Sequence, residues 1–414
     1  MFAVSKDYAP PLKLIAPFFQ IGVVFYLIST ILLFKYSSSF SYIEMDIAGW
    51  LHLFLLGFVM VIIFGAMAQL IPVVLEVGHA VVDLYYVILP LLSIGTVVMV
   101  VGFLYNPIII SYGGLLVLVS MVIFALEALA TLKNSKIGTI TVQTVAISNT
   151  FLLIGIITGF IIALAFTGAI DIDVADVLKA HLFSVLGGFV LLTIMGISLT
   201  LLPMFSLAHG FNERPIRVGF YLVTVGVATI FLSSILGIKE YLSYLLISVG
   251  IGFYLYQVYI IYRLRVRKEL DIWLKSMIFG FISLFISLIL GLLSLLPNSS
   301  ETILHTSIWF FILGFIGFLI NGHLYKIVPF LVWFERFSPL VGKRKVPMLH
   351  EMYPKKQAEF MFWSSSIGVI FGGIGLLSES EFIFKLGISL LVVGAVFLFT
   401  SMVNMLAYGK GENV

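Results

Sequence analysis

From Ile47 to Pro72 the chain runs for 26 residues without an Asp, Glu, Lys or Arg. At a helical rise of about 1.5 Å per residue, such a run crosses a hydrocarbon core of about 30 Å. Similar runs recur near 13–34, 47–72, 84–104, 108–131, 146–168, 180–205, 218–238, 242–262, 274–296, 306–331, 361–377 and 383–407. Only 10% of the 414 residues are charged, against about a quarter in a soluble domain. That is too few to coat a water-facing surface. The sequence therefore predicts an all-α membrane protein of about twelve transmembrane helices, whose backbone groups hydrogen-bond within their own segments as lipid requires. The longest loop, 332–360, leaves no room for a soluble domain, so residues 1–414 are expected to form one transmembrane domain. The lead MFAVSKDYAPPLK reads as preceding a retained first span, not as part of a cleaved signal.

Basic residues mark alternate loops: Lys133 and Lys136, Arg214 and Arg217, RLRVRK at 263–268 and GKRK at 342–345. The loops between are acidic (DIDVAD, 171–176) or lack Lys and Arg (PNSSET, 297–302). The positive-inside rule then places both termini in the cytoplasm. Because these basic runs flank spans, they read as topology signals and not as a nucleic-acid surface. The chain has no cysteine, which excludes disulfides, iron–sulfur clusters, thiolate-ligated haem and covalent C-x-x-C-H haem attachment.

One pattern recurs in register. Gly57-Phe58, Gly65 and Pro72 are matched by Gly188-Phe189, Gly196 and Pro203, and by Gly314-Phe315, Gly322 and Pro329. The copies lie four helices apart, which predicts three four-helix repeats, about 13–131, 146–262 and 274–407. Glycines at this spacing let helices approach closely. The second, sixth and tenth helices are thus expected to line the centre of a pseudo-threefold bundle. The plainer reading is that Gly and Pro are simply common in membrane helices.

Each of these helices begins with a histidine: His52, His181 and His305, all near the expected outer surface. Histidine inside a bilayer is uncommon, and neutral imidazole is a good ligand for haem iron. His52 lies 20 residues before its proline and His305 lies 24 before. On an ideal helix the two project in similar directions, about one turn apart in depth. A flat macrocycle held between two such helices needs small residues, and the motif glycines are the candidates.

The three outer histidines and the Gly-x6-Pro tails resemble subunit I of the haem–copper oxidase superfamily, which has a twelve-helix core in three four-helix arcs. That resemblance implies haem b ligated by His52 and His305, with His181 a third candidate, and a role in electron transfer or in handling a small gas such as nitric oxide. The family's copper site is not expected here. Val185 stands where its sixth helix carries a functional residue, and the seventh span has no histidine. Ser307 and Trp309 occupy the positions of the family's H-x-H pair, and NGHLYK at 321–326 shares only Gly-His with the G-H-T-G-R type signature of the nitric-oxide-linked members. Oxygen or nitric oxide reduction of the family's kind is therefore not expected, and whether the chain is an enzyme stays open. The outer loop SESEFIFK lacks the family's propionate-binding arginines, leaving Lys179, Trp50 or Trp309 to take that part.

Inner-side features are read more plainly. Glu127 is expected to reach the interface. His79 and His209, seven and six residues past their prolines, read as helix ends and not as ligands. Trp333 and Phe337 are expected to anchor an interfacial segment. His323, Lys326 and Glu335 form the sharper alternative, a quinone or redox-partner site. The rival readings of the whole chain are a cofactor-free transporter or channel, with Gln69, Gln257 and Asn321 facing a pathway, and a non-catalytic subunit of a respiratory complex.

Overall fold

The computed structural model describes residues 10–42, 44–236 and 240–410. Most of the N-terminal lead and both chain ends lie outside that range. The described chain is helical, and twelve of its helices are long and apolar enough to cross a membrane. They run Leu12–Lys35, Met45–Leu75, Val82–Tyr105, Ile108–Leu132, Ile140–Ala165, Val174–Ser206, Arg214–Leu236, Tyr241–Arg263, Ile272–Ser294, Glu301–Arg336, Lys355–Leu377 and Glu381–Ala407. The second, sixth and tenth are the longest, at 31, 33 and 36 residues. Their most apolar windows are also among the most buried, whereas the seventh to ninth expose much of theirs, as a lipid-facing helix does. The chain is a multi-pass membrane protein.

The described residues fall into two compact units, one within 67–269 and one made of 10–66 with 270–410. Within each unit, packing follows the sequence motif. In every copy the two motif glycines of the even-numbered helix face the helix before it. A Cβ built on Gly57 would lie 2.6 Å from the Phe25 ring, one on Gly188 2.5 Å from Phe151, and one on Gly314 2.6 Å from Ser283. The second glycines, Gly65, Gly196 and Gly322, press in the same way on Phe18, Thr144 and Ser276. The partners are seven residues apart in all three copies, mirroring the glycines in an antiparallel sense. The glycines are therefore taken up by helix–helix packing inside each copy.

A second set of glycines joins the other two helices of each copy. Gly95 and Gly113, Gly219 and Gly250, and Gly368 and Gly387 face each other reciprocally, each with the other's carbonyl oxygen within 3.0 Å of where a Cβ would stand. Backbone touches backbone at these crossings, which only glycine permits.

The motif helices are not uniform α-helices. Each carries a π-helical segment, Leu53–Met60, Phe183–Leu191 and Phe310–Ile316, and each segment contains the Gly-Phe pair. An ideal rotation of 100° per residue does not survive such a segment, so the angular comparison of the histidines fails. Segments of this kind concentrate at functional positions.

Candidate functional site

The expected ligands occupy the N-terminal ends of their helices. His52 closes the short α-helix Met45–His52 at the start of the second span, immediately before the π-segment. Its Nδ1 lies 2.7 Å from the carbonyl oxygen of Ala48, one turn back. A carbonyl only accepts, so Nδ1 carries a proton; in the neutral form of the ring Nε2 would hold the lone pair. Metal-ligating histidines are typically held this way. His181 is held similarly but by its neighbour: Nδ1 lies 2.7 Å from the Gly155 carbonyl of the fifth span. Its ring fills the place a side chain at Gly159 would take, 2.6 Å from where that Cβ would stand. His305 differs. Its ring stacks on Phe40 at 6.0 Å and meets Tyr42 edge-on at 5.2 Å, while the Tyr42 hydroxyl donates to the His305 carbonyl.

The second and tenth spans are neighbours. The Phe54 ring comes within 3.8 Å of where a Cβ on Gly317 would stand. Phe54 is two residues past His52, but Gly317 is twelve past His305. The difference corresponds to about 15 Å of helical rise, of which a phenyl side chain spans only part. The glycine cradle expected between these helices is corrected. Gly57 and Gly314 face Phe25 and Ser283 of their own copies, and only Gly317 faces across, toward Phe54.

The proposed propionate partners are otherwise engaged. The Trp50 indole donates to the Ser29 carbonyl at 2.9 Å, and the Trp309 indole donates to the Val369 carbonyl at 2.9 Å, seated on Gly372. Lys179 pairs with Asp176 and Glu240, at 3.2 and 3.0 Å.

At the C-terminal ends the plain readings give way. Glu127 does not reach the interface. Its side chain is 0% exposed, and its Oε1 lies 3.0 Å from His79 Nδ1. The Thr131 hydroxyl donates to the same oxygen at 2.8 Å and accepts from the Ala80 amide at 3.0 Å. The other ring nitrogen, His79 Nε2, lies 2.6 Å from the Ala68 carbonyl. His79 and His209 therefore differ, since His209 is exposed with Nδ1 only 3.2 Å from the Leu207 carbonyl. Spacing gave these two histidines the same role because it is blind to the turn that folds one of them inward. Phe337 is buried against Tyr408 at 6.0 Å and is no lipid anchor, and the Trp333 indole donates to the Pro347 carbonyl.

His323 and Lys326 do share a neighbourhood. Lys326 pairs with Asp271 at 2.6 Å, and both face Trp273, Lys326 at 5.9 Å and the His323 ring at 6.0 Å. Glu335 is exposed. Asn321 is 1% exposed, with neither amide atom in a hydrogen bond of ordinary length among the described residues, and the hydroxyl of the buried Tyr26 lies beside it and Ser365.

Among the described residues, no group of three or more His, Asp or Glu side chains is placed to hold a bare metal ion. An axial haem pair needs only two imidazoles. No family model matches the chain, and no curated protein matches it.

Proposed function

We propose that the protein binds b-type haem at the outer ends of its second and tenth spans, with His52 as the principal axial ligand, and that it moves electrons or handles a small gas such as nitric oxide within the membrane. The observation that carries this reading is the His52 ring, whose Nδ1 is fixed by the Ala48 carbonyl at 2.7 Å. That hydrogen bond selects the tautomer in which Nε2 can bind iron. An imidazole is a donor that haem iron takes, and the adjacent π-segment is a second support. His305 is the second ligand that the resemblance to haem–copper oxidase subunit I implies, and His181 is the alternative. A bound haem would supply reversible one-electron chemistry or a gas-binding iron. The chain's own part is to hold the His52 ring in place through the Ala48 carbonyl. An electron donor would be a quinone or a redox protein, and the His323–Lys326–Trp273 neighbourhood is a candidate quinone contact.

Haem titration tests this reading. Full-length protein purified with ample haem is expected to bind it stoichiometrically and to lose it in His52→Ala. Retention of low-spin haem in His305→Ala would overturn the pairing but leave the site. Failure of the wild-type chain to bind haem would overturn the proposal.

A further inference from the structure

The loop between the tenth and eleventh spans is tied to the bundle, and it carries charge that the haem reading does not use. Gly342 stands at a φ of +81°, and the Leu340 carbonyl accepts from the amides of Lys343 and Arg344 at 3.0 and 3.1 Å. That turn presents Lys343, Arg344 and Lys345, all of them exposed. Further on, the Met348 amide donates to Glu351 Oε2 at 2.9 Å, and the Trp333 indole holds the Pro347 carbonyl. Leu340 and Met352 are buried, and the Tyr353 ring meets Tyr325 of the tenth span edge-on at 5.7 Å. The same segment leaves Val341, Met348 and Leu349 outside, with Met348 61% exposed. Apolar side chains interleaved with cations suit the headgroup level of a bilayer. There the apolar groups enter the acyl boundary while the cations stay with the phosphates.

The positive charge is not neutralised locally. Lys343, Lys345, Lys355 and Lys356 are exposed and make no ion pair among the described residues. Two nearby carboxylates are engaged, Glu351 by the Met348 amide and Glu359 by Lys275 at 2.7 Å. Glu335, at the end of the tenth span, is exposed and offsets one charge. What the patch borders decides its partner. Lys356 opens a stripe along the eleventh span that continues through Phe360, Trp363, Ile367, Ile370 and Ile374, every member exposed. Their spacings of three and four put them on one helix face. On a spanning helix, an exposed apolar face is the lipid-facing side. The lysines thus stand at the membrane-surface end of a lipid track. A phospholipid accounts for both parts, its tail along the stripe and its phosphate at the lysines. An acidic protein from the aqueous side accounts only for the charge. A topology signal also needs the charge alone and not the folded, partly apolar loop.

We propose that residues 341–356 form a binding surface for anionic phospholipids of the surrounding membrane. The lysines take the headgroup phosphates, and Val341, Met348 and Leu349 enter the acyl boundary. This surface stands in place of the anchors expected at Trp333 and Phe337, whose rings are turned to the protein. The inference does not rest on the haem reading.

The test is hydrogen exchange of residues 341–353 in the full-length protein, held in nanodiscs of phosphatidylcholine with increasing phosphatidylglycerol. Exchange is expected to slow as the anionic lipid rises, and the slowing to weaken at high salt. The phosphatidylglycerol fraction that gives half the effect should rise roughly fivefold in Lys345→Gln. The effect should be lost in Lys343→Gln/Lys345→Gln/Lys355→Gln/Lys356→Gln, with melting in phosphatidylcholine unchanged. Should the fourfold variant melt earlier, Lys345→Gln alone decides. Equal exchange in the two lipids, or slowing that persists unaltered in the variants, overturns the proposal. Slowing that needs a second copy in the disc and not phosphatidylglycerol also overturns it, and assigns the loop to a contact between copies.

Discussion

His79 Nε2 lies 2.6 Å from the carbonyl oxygen of Ala68, four residues before Pro72 within the same helix. Proline has no N–H, so it cannot serve that carbonyl as an ordinary residue would. The imidazole takes the missing amide's place from outside the helix and is itself held by Glu127. His79→Leu strands both acceptors. Leaving a buried hydrogen-bonding group without its partner costs about 1–3 kcal/mol. Unfolding in detergent should show a loss of that size, most of it recovered in His79→Leu/Glu127→Leu. A double variant no more stable than the single one would contradict this.

Pro72→Ala supplies an amide that competes with His79 for the Ala68 carbonyl. The energetic coupling between His79 and Glu127, measured by a double-mutant cycle, should then shrink, because the ring loses its second anchor. An unchanged coupling would mean that the Ala68 contact is incidental.

The motif glycines are fixed by contact. Gly188→Val places a side chain 2.5 Å from Phe151 and is expected to cost about 1–3 kcal/mol as overpacking. Gly252 has nothing within 4 Å, so Gly252→Ala should be neutral or stabilising by up to about 1 kcal/mol. Equal melting shifts for the two would refute the packing role.

Tyr36 follows the first span and donates its hydroxyl to the Asp46 carbonyl at 2.8 Å. Burial, with the nearby Asp46 and Glu44 charges, pushes its hydroxyl well above the usual tyrosine range. The unfolded chain releases this proton at about pH 10, while the folded chain keeps it. The stability from a neutral Tyr36 is therefore complete below about pH 10 and falls as pH rises beyond it. Tyr36→Phe should flatten that alkaline loss in a pH series of melting curves. The same slope in both proteins would argue against it.

The apolar runs and the triple Gly-x6-Pro register made the spans and the motif helices legible in the sequence. The second glycine set, with Gly95 against Gly113 and its two counterparts, was in the letters too but at pairings that differ in sequence separation, so no fixed interval revealed it. Spacing placed His52, His181 and His305 at equivalent helix ends. It could not reveal the π-segments, because these depend on backbone hydrogen bonding and not on residue type. The meeting of Glu127 and His79 depends on a turn after Leu75, where helical periodicity stops, so spacing does not reveal it.

The central claim is haem ligation by His52, and the optical spectrum of the purified full-length protein, expressed with ample haem, tests it most directly. A Soret band with sharp reduced α bands in the wild type, lost in His52→Ala and retained in the packing control Gly252→Ala, is the predicted result. No Soret band in the wild type, or an unaltered one in His52→Ala, would contradict it.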